Sequence, residues 1–331
     1  MSSIAVVTIG RNEGDRLVNS LQSIKKVLPE TNPIIYVDSG STDDSVNKAE
    51  ELGVIVLNLD LSIPFTAARA RNTGLKYIVN HYPQINYIQF LDGDCELNPQ
   101  WLDKAKKRLE ENPSLAIVCG RRREKYPEKS LYNRLIDMEW NTPIGEVKAC
   151  GGDALMRVSA LKEVNGYKQD LICGEEPEMC IRLREKGWKI ERLDLDMTYH
   201  DAAMYKFSQW WKRSIRGGWA VAEGYAMHGK SPENYMIKEL KSGYLWGFII
   251  PFSAIVLAYF TNGISLLLLL SYALLYWKIY RYRINFGDNV ENAKLYAYWC
   301  VLSKFPQFIG QYQYWWKKIN KQKFTIIEYK S

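Results

Sequence analysis

The segment Tyr87-Ile88-Gln89-Phe90-Leu91-Asp92-Gly93-Asp94-Cys95-Glu96 changes from apolar to acidic after Leu91. The apolar run predicts a buried strand, and Gly93 permits a sharp turn that lets Asp92 and Asp94 face one point. Two adjacent carboxylates repel each other unless a cation or a shared proton relieves them. Carboxylate oxygens together with substrate phosphates are usual ligands of Mg²⁺ and Mn²⁺. A pattern this short also fits an ordinary turn with two solvated acids, so a metal site is indicated only if other parts of the chain support it.

The first hundred residues alternate between strand-like and helix-like patterns. Because this alternation is typical of βα units, we predict an α/β fold with a mostly parallel sheet and helices on both faces. In such sheets, ligands bind at the carboxyl ends of the strands, where Glu13, Asp38 and Asp92 are expected. The predicted strands are Ile4–Ile9, Pro33–Val37 and Val54–Leu57, and the predicted helices are Arg16–Val27, Ser45–Leu52 and Ala67–Val79.

The overall composition narrows the possible partners. The chain has 331 residues, 47% of them hydrophobic, and a formal net charge of +7, which suits an anionic partner such as a sugar nucleotide or an acidic lipid surface. Neither zinc-finger spacing nor a dense basic helix occurs, so we expect no nucleic-acid partner. The six cysteines form no C-x-x-C motif and are expected to be reduced in the cytosol. The N-terminus resembles a first strand and not a signal peptide.

Three polar segments follow in the second hundred residues. Arg121 to Lys125 form a basic cluster that is either a solvated loop or a contact for a phosphate or an acidic acceptor. Cys150-Gly151-Gly152-Asp153 predicts a tight backbone site. Gly174-Glu175-Glu176-Pro177-Glu178 opens a helix, and its three acids exceed what capping needs, although capping alone is the alternative.

The C-terminal third predicts membrane association. Leu245–Phe260 and Ile264–Trp277 carry no charge and are separated by Thr261-Asn262-Gly263, which indicates a helical hairpin over about residues 244–280. Each arm is slightly short of the ~20 residues that span a bilayer. A buried soluble hairpin and a re-entrant hairpin are the alternatives. Flanking lysines and arginines place both ends in the cytoplasm, and the aromatic, lysine-rich tail 281–331 suits the lipid headgroup layer.

Several motifs together resemble the family two glycosyltransferases of GT-A fold, over roughly Ile4 to Gly218. Each motif is weak by itself, and their order and spacing carry the resemblance. They are Val6-Val7-Thr8-Ile9 with Arg11-Asn12-Glu13, Asp38-Ser39-Gly40-Ser41-Thr42-Asp43, Ala68-Arg69-Ala70-Arg71-Asn72-Thr73-Gly74, Leu91-Asp92-Gly93-Asp94, Gly151-Gly152-Asp153 with Arg157, and Gly174-Glu175-Glu176-Pro177-Glu178 with Arg182-Leu183.

The resemblance implies a donor site. Carboxylates would accept hydrogen bonds from the nucleoside, and an arginine would approach the diphosphate. Asp92 and Asp94 would coordinate Mn²⁺ or Mg²⁺, and His200 would complete the coordination, although a lone histidine is more often structural. The implied nucleotide-binding residues are Thr8, Asn12, Glu13, Asp38, Ser39, Arg69, Asp92 and Gly93.

The resemblance also implies an acceptor half. Glu176 occupies the place of the family's aspartate base and would deprotonate the acceptor hydroxyl, with Glu175 as the alternative base. Gln209 to Arg216 resembles the Gln-x-x-Arg-Trp element of processive members, but Lys212 and Arg213 replace its Arg and Trp. The implied acceptor or diphosphate contacts are Gly152, Asp153, Lys212, Arg213 and Arg216.

The sequence thus predicts a catalytic domain over residues 1–230 and a membrane-associated region over 231–331. We expect an inverting, metal-dependent transferase that moves a sugar from a nucleotide sugar, most simply a UDP-sugar, to a lipid-linked or saccharide acceptor on the cytoplasmic membrane face. Cell-surface polysaccharide or glycolipid assembly is the expected process. A polyprenyl-phosphate glycosyltransferase and a non-catalytic scaffold are the alternatives. A dinucleotide-dependent oxidoreductase is disfavoured because G-x-G-x-x-G is absent after the first strand.

Overall fold

The computed structural model describes residues 3–322 and contains one mixed sheet with helices on both faces. The predicted strand and helix positions are confirmed to within two residues for most elements of the first half. The strands are β1 (Ser3–Gly10), β2 (Ile34–Asp38), β3 (Ile55–Asn58), β4 (Ile85–Asp92), β5 (Cys95–Leu97), β6 (Leu115–Glu124), β7 (Gly145–Glu146), β8 (Ala154–Arg157) and β9 (Lys189–His200).

In the first part of the chain, helices pack on both faces of the sheet, and the described residues after β9 form helices. They are α1 (Asp15–Lys25), α2 (Ser45–Glu51), α3 (Ala67–His81), α4 (Trp101–Glu111), α5 (Leu131–Trp140), α6 (Val158–Glu163), α7 (Glu175–Glu185), α8 (Phe207–His228), α9 (Ile237–Tyr244), α10 (Ile250–Val256), α11 (Ser271–Asn285), α12 (Val290–Leu302) and α13 (Lys304–Ile319).

The sheet order is β3-β2-β1-β4-β8-β6-β9-β5, with β7 paired to β9. Strands β1 to β4 are parallel, as predicted, whereas β8 runs antiparallel to both β4 and β6. Side chains of β1 alternate between two buried clusters, with Val7 and Ile9 on one face and Ile4 and Val6 on the other. A strand with apolar residues on both faces needs helices on both sides, which is why the first strand reads as a continuous apolar run.

The chain divides into two compact units. The first contains residues up to Lys129 and Glu139–Ala203, and the second contains Ser130–Met138 and the chain from Met204. The predicted boundary at residue 230 therefore differs from the structure, because α8 packs within the second unit. A Cβ on Gly218 of α8 would lie 2.0 Å from the carbonyl oxygen of Gln307 in α13. A Cβ on Gly310 of α13 would lie 1.9 Å from the carbonyl oxygen of Ile215 in α8. The two helices therefore cross so closely that both positions require glycine.

The second unit contains the predicted hairpin. The Ser265 hydroxyl donates to the Ala254 carbonyl at 2.8 Å, and Tyr272 donates to the Trp246 carbonyl, so the two arms run antiparallel. A π-helical turn (Leu245–Ile249) precedes α10, and a 3₁₀ segment (Ile264–Leu270) precedes α11. Among residues 3–322, one helix, Ile264–Asn285, is long and apolar enough to cross a membrane. Residues 323–331 of the predicted tail, including Lys323, lie outside the described residues.

Candidate active site

Asp92, at the carboxyl end of β4, is held by two arginines. Arg71 donates from Nη2 to Oδ1 at 2.8 Å, and Arg122 donates from Nη2 to Oδ2 at 3.0 Å. Burial by itself would raise the pKa of Asp92, but the charges of Arg122 and Arg71 lower it below the ordinary value. Asp92 is therefore an anion at neutral pH, and its carboxylate is fixed in one orientation.

Arg71 joins the end of β4 to the start of α7. Its Nη1 lies 2.8 Å from Oε1 of Glu175 and 2.9 Å from Oε1 of Glu176, while Nη2 binds Asp92. The Arg71 side chain is only 3% exposed. One buried guanidinium thus holds three carboxylates, which leaves these groups with an excess of negative charge.

Glu176 has the acid–base character of a general base. Burial raises its pKa to about 7, the negative charge of Glu175 adds to the increase, and Arg71 opposes it. The side chain of Glu176 is 15% exposed, compared with 6% for Glu175. Glu176 is therefore the more accessible of the two candidate bases, and its pKa lies close to neutral pH, where a base works best.

Gly152 brings the backbone against this group. A Cβ at position 152 would lie 2.5 Å from Nη2 of Arg71, 3.0 Å from Oδ2 of Asp92 and 3.1 Å from Oε1 of Glu176. Since real Cβ atoms do not approach other atoms at 2.5 Å, a side chain here would displace Arg71. The predicted tight backbone site is present, directly against the predicted metal ligand and the predicted base.

Asp94 directly precedes β5 and lies beside His200, the last residue of β9, with which β5 pairs. Oδ2 of Asp94 is 3.1 Å from Nε2 of His200, and Nδ1 of His200 is 3.9 Å from Oε2 of Glu124. Burial by itself lowers the pKa of His200, but the charge of Asp94 and the hydrogen bond to it raise it above the ordinary value. The ring of Trp140 packs edge-on against His200, with centroids 4.9 Å apart.

These residues fit a divalent cation. Ligand atoms of Asp94, Cys95 and His200 lie within 4.8 Å of one another. The Nε2 of His200 faces Asp94, while its buried Nδ1 faces Glu124 and has no hydrogen-bond partner among residues 3–322. Burial raises the pKa of the Cys95 thiol well above its ordinary value, so carboxylate oxygen and imidazole nitrogen are the available donors. Carboxylate and imidazole donors suit Mn²⁺ or Mg²⁺ better than a soft metal.

Asp153 lies beneath Asp92, and its predicted contact with acceptor or diphosphate stays a prediction. Its side chain is fully buried, accepts from the Asp92 N–H at 3.0 Å and from the Thr198 hydroxyl at 2.7 Å, and lies 2.8 Å from Arg122. Because every one of these partners is part of the site or supports it, Asp153 positions Asp92 and Arg122.

Asp38 has a structural role in the loop after β2. Its Oδ2 accepts from the backbone N–H groups of Gly40 and Ser41, and its Oδ1 accepts from the hydroxyls of Tyr36 and Ser41. A carboxylate has about four acceptor positions, so this loop uses them all. Nucleoside binding through the Asp38 carboxylate stays a prediction, and it would require these hydrogen bonds to rearrange.

The other predicted nucleotide-binding residues have different positions. Thr8 is fully buried, and its contact with the base stays a prediction. Asn12 joins two loops, since its Oδ1 accepts from the Thr42 N–H at 2.7 Å. Ser39 donates its N–H to the Gly10 carbonyl oxygen at 3.0 Å. Glu13 pairs with Arg16 at 2.8 Å.

The turn at Gly93 brings the β1 loop to the end of β4. Its N–H donates to the Ile9 carbonyl oxygen at 2.8 Å, and a Cβ there would lie 3.1 Å from that oxygen and 3.4 Å from Cγ of Glu13. Glu13, Asp92 and Gly93 thus meet at the carboxyl ends of β1 and β4, as expected for residues that directly follow parallel strands.

The sequence predicts a diphosphate contact for Arg69, but in the structure it is Arg71 that contacts the carboxylates of the site. Arg69 donates to the carbonyl oxygens of Asp60, Ile63 and Pro64, and so fixes the loop before α3. Successive helical residues are rotated by about 100°, which turns positions 69 and 71 to nearly opposite faces. The apolar stripe through Leu75 and Ile78 includes position 71, and this is the signal that could have identified Arg71.

The basic cluster Arg121–Lys125, which the structure places mostly in the last residues of β6, contains a site residue. Arg122 binds Asp92 and Asp153, whereas Arg123 lies 3.6 Å from Asp196. Lys212, Arg213 and Arg216 belong to α8 in the second unit, so their contact with diphosphate or acceptor stays a prediction.

Most of the first unit is similar to known proteins. Residues 3–164 match the family described as Glycosyl transferase family 2. The chain is 26% identical over 194 residues to the O-antigen chain rhamnosyltransferase RfbN of Salmonella typhimurium, which covers 54% of this chain and 60% of that protein. It is 21% identical over 197 residues to the glycosyltransferase AglE of Haloferax volcanii, covering 56% of this chain and 63% of that protein. The matches thus span less than two thirds of either relative.

Solved structures share the fold. A mannosyltransferase from Pyrobaculum calidifontis, in complex with GDP-Man and Mn²⁺, has a TM-score of 0.64 at 19% identity and covers 95% of this chain and 87% of its own. A glucosyl-3-phosphoglycerate synthase from Mycobacterium tuberculosis, in complex with phosphoglyceric acid, has a TM-score of 0.52 at 17% identity over 69% of this chain and 80% of its own. The predicted α/β fold of GT-A type is confirmed.

Proposed function

We propose that this chain, whose residues 3–164 match Glycosyl transferase family 2, is a glycosyltransferase that moves the sugar of a nucleotide sugar to an acceptor hydroxyl with inversion. The observation that carries this proposal is Glu176, a carboxylate with a pKa of about 7 that shares Arg71 with Asp92. We expect a UDP-sugar as donor and a saccharide or lipid-linked acceptor. The named relative in Salmonella typhimurium is a polysaccharide rhamnosyltransferase, which supports a glycan acceptor.

The chemical step uses the accessible carboxylate. As the acceptor oxygen forms its bond to the anomeric carbon, its proton passes to an oxygen of Glu176. The bond between the anomeric carbon and the diphosphate oxygen breaks, and its electron pair leaves with the nucleoside diphosphate. Attack from the side opposite the leaving group inverts the anomeric configuration.

The residues proposed to hold the cation are Asp92, Asp94 and His200. When bound, Mn²⁺ or Mg²⁺ would neutralise charge that develops on the leaving diphosphate. Asp153 and Arg122 fix the orientation of Asp92, so that this carboxylate need not reorganise when a cation binds.

Removal of divalent cations should abolish turnover. We expect chelation with EDTA to lower release of nucleoside diphosphate from UDP- and GDP-sugars by about 100-fold or more, and Mn²⁺ to restore it. Asp94→Asn should lower the rate at saturating Mn²⁺ and weaken Mn²⁺ binding, whereas Asp103→Asn, on the exposed side of α4, should change neither. Full turnover in EDTA would contradict the assigned cation site. No metal-dependent turnover of any nucleotide sugar would contradict the proposed function.

The rate should depend on pH through Glu176. The carboxyl must be ionised to accept a proton, so kcat should rise about tenfold per pH unit below pH 7 and level off above it. This rise of kcat between pH 6 and 8 depends on the pKa of Glu176, which burial raises. An ordinary carboxyl, with its pKa near 4.5, would already be ionised at pH 6 and would give a flat profile between pH 6 and 8. A flat profile over that range would contradict the assignment of Glu176, provided that the chemical step limits the rate.

A polyprenyl-phosphate acceptor is the main alternative. A phosphate oxygen needs little deprotonation, so loss of the Glu176 carboxylate would then have a mild effect. The Glu176→Gln variant described in the Discussion distinguishes the two acceptors. A non-catalytic scaffold would show no turnover under any of these conditions.

We also propose that the second unit attaches the protein to the cytoplasmic face of a membrane. Apolar side chains of the hairpin are exposed, with Tyr259 at 86%, Phe260 at 75% and Leu274 at 70%. An exposed apolar surface of this kind is typical of a membrane contact. The full chain should sediment with membranes and remain there after an alkaline carbonate wash. Quantitative release by the wash would rule out an inserted hairpin.

A further inference from the structure

An open cavity of about 330 Å³ lies in the first unit, lined by residues other than those assigned above. This volume is at the lower end of the range of about 300–1,000 Å³ for small-molecule sites. Six of its lining residues matter here: Arg121, Asn141, Ile144, Arg192, Asp194 and Asp196.

The lining combines hydrogen-bond donors and acceptors without a net charge. Two guanidinium groups are balanced by two carboxylates, and Asn141 offers both a donor and an acceptor. A neutral wall gives no advantage to a phosphate or a metal ion. Sugar hydroxyls, which donate and accept at once, match such a wall better than other common ligands.

Arg192 has unused hydrogen-bonding capacity at this cavity. Its side chain is buried, at 4% exposure, and it donates from Nη1 to the Thr142 carbonyl oxygen. Its Nε has no hydrogen-bond partner among residues 3–322. A buried N–H without a partner costs about 1–3 kcal/mol, so a side-chain shift that brought Nε to a ligand oxygen would be favourable. Burial and the charge of Arg121 lower the pKa of Arg192.

The cavity shares structural elements with the active site. Arg121 pairs with Asp196 across β6 and β9, and the next pair is Arg122 with Thr198, which supports Asp92. Residues 141–144 follow directly after Trp140, whose ring packs on His200. A ligand in the cavity would therefore contact the strand pair and the loop that also form the reaction site.

We propose that this cavity is a second saccharide subsite, which binds a sugar unit of a glycan acceptor other than the unit that receives the transferred sugar. This inference rests on the proposed function, because it assumes an acceptor with more than one sugar. The cavity would then select acceptors by the hydroxyls that reach Arg192 and Asp194.

The test is saturation-transfer NMR on the full chain in a detergent without a sugar headgroup. The probes are methyl mannoside, maltose and N-acetylglucosamine, each with excess UDP to occupy the donor site. Ile144→Trp should fill the cavity mouth, and Asp194→Ala should remove one acceptor. We expect each to weaken probe binding by about fivefold or more, as for the loss of one or more hydrogen bonds. Lys107→Trp, an equally bulky change on α4, is the matched control and should have no effect.

The melting temperature of each variant shows whether it folds, and Asp194→Ala carries the test if Ile144→Trp does not fold. Binding to the original chain that is lost in the folded variants supports the subsite. No binding of any probe to the original chain, or unchanged binding in the folded variants, overturns it. Metal-dependent donor turnover, measured on the original chain, shows separately whether the proposed function survives.

Discussion

Glu176→Gln is expected to lower kcat by about 10³-fold, within the 10²–10⁴-fold range of general base catalysis. The substitution keeps the size and shape of the side chain and leaves an amide oxygen that can still accept from Arg71, 2.9 Å away. It removes the group that takes the proton from the acceptor. The measurement is steady-state transfer or donor hydrolysis, with binding of the donor followed separately by calorimetry.

Glu175→Gln is the matched control for this variant. Glu175 is the more buried of the two, and its carboxylate also lies 2.8 Å from Arg71, so its replacement should affect positioning more than proton transfer. We expect a loss of about tenfold or less, with the pH dependence of Glu176 retained. The reverse order of effects would make Glu175 the base. Near-normal turnover of both variants would favour a phosphate acceptor over a hydroxyl.

Arg71→Met is expected to lower the stability of the fold by about 3–5 kcal/mol, as for other buried charges that lose their partner. Arg71 is the shared partner of Asp92, Glu175 and Glu176, so its removal leaves the two glutamates without this partner, while Asp92 keeps Arg122. For the first unit this corresponds to a decrease in melting temperature on the order of 10 °C. The pKa of Glu176 should rise further, because Arg71 now lowers it, and the pH profile should move to higher pH.

Arg69→Met is the control on the same helix. Arg69 is half-buried and donates to loop carbonyls, so we expect a loss of about 1 kcal/mol and no shift of the pH profile. Equal destabilisation by the two variants would show that Arg71 has no special role in holding the carboxylates together. An unshifted pH profile in folded Arg71→Met would show that the charge of Arg71 does not affect the pKa of Glu176.

The sheet was predictable because its strands carry local signals. Strand β1 is apolar on both faces, Gly93 follows β4, and each predicted βα unit ends in polar residues. These features act within a few residues of one another, so sequence patterns record them. The antiparallel β8 was less visible, because its four residues, Ala154–Arg157, are too few to show a period.

The roles of individual side chains were harder to predict. Asp38 has the expected residue type at the expected position, yet the backbone of its own loop uses its acceptor positions. Thr8 lies on a strand that has helices on both faces, so its side chain is buried whatever its polarity. A motif specifies that such residues are present, but it does not specify which hydrogen bonds they make.

The sequence by itself determined the order of the βα units, the position of Asp92 at the carboxyl end of its strand, and the acids that open α7. Only the tertiary structure decided that Arg71, and not Arg69, lies between Asp92 and Glu176, and that Asp153, itself bound by Thr198, supports Asp92. These contacts join residues 21 to 105 positions apart, and their formation depends on which face of each helix and strand is buried. Side-chain direction over such separations follows from packing, which local patterns do not encode.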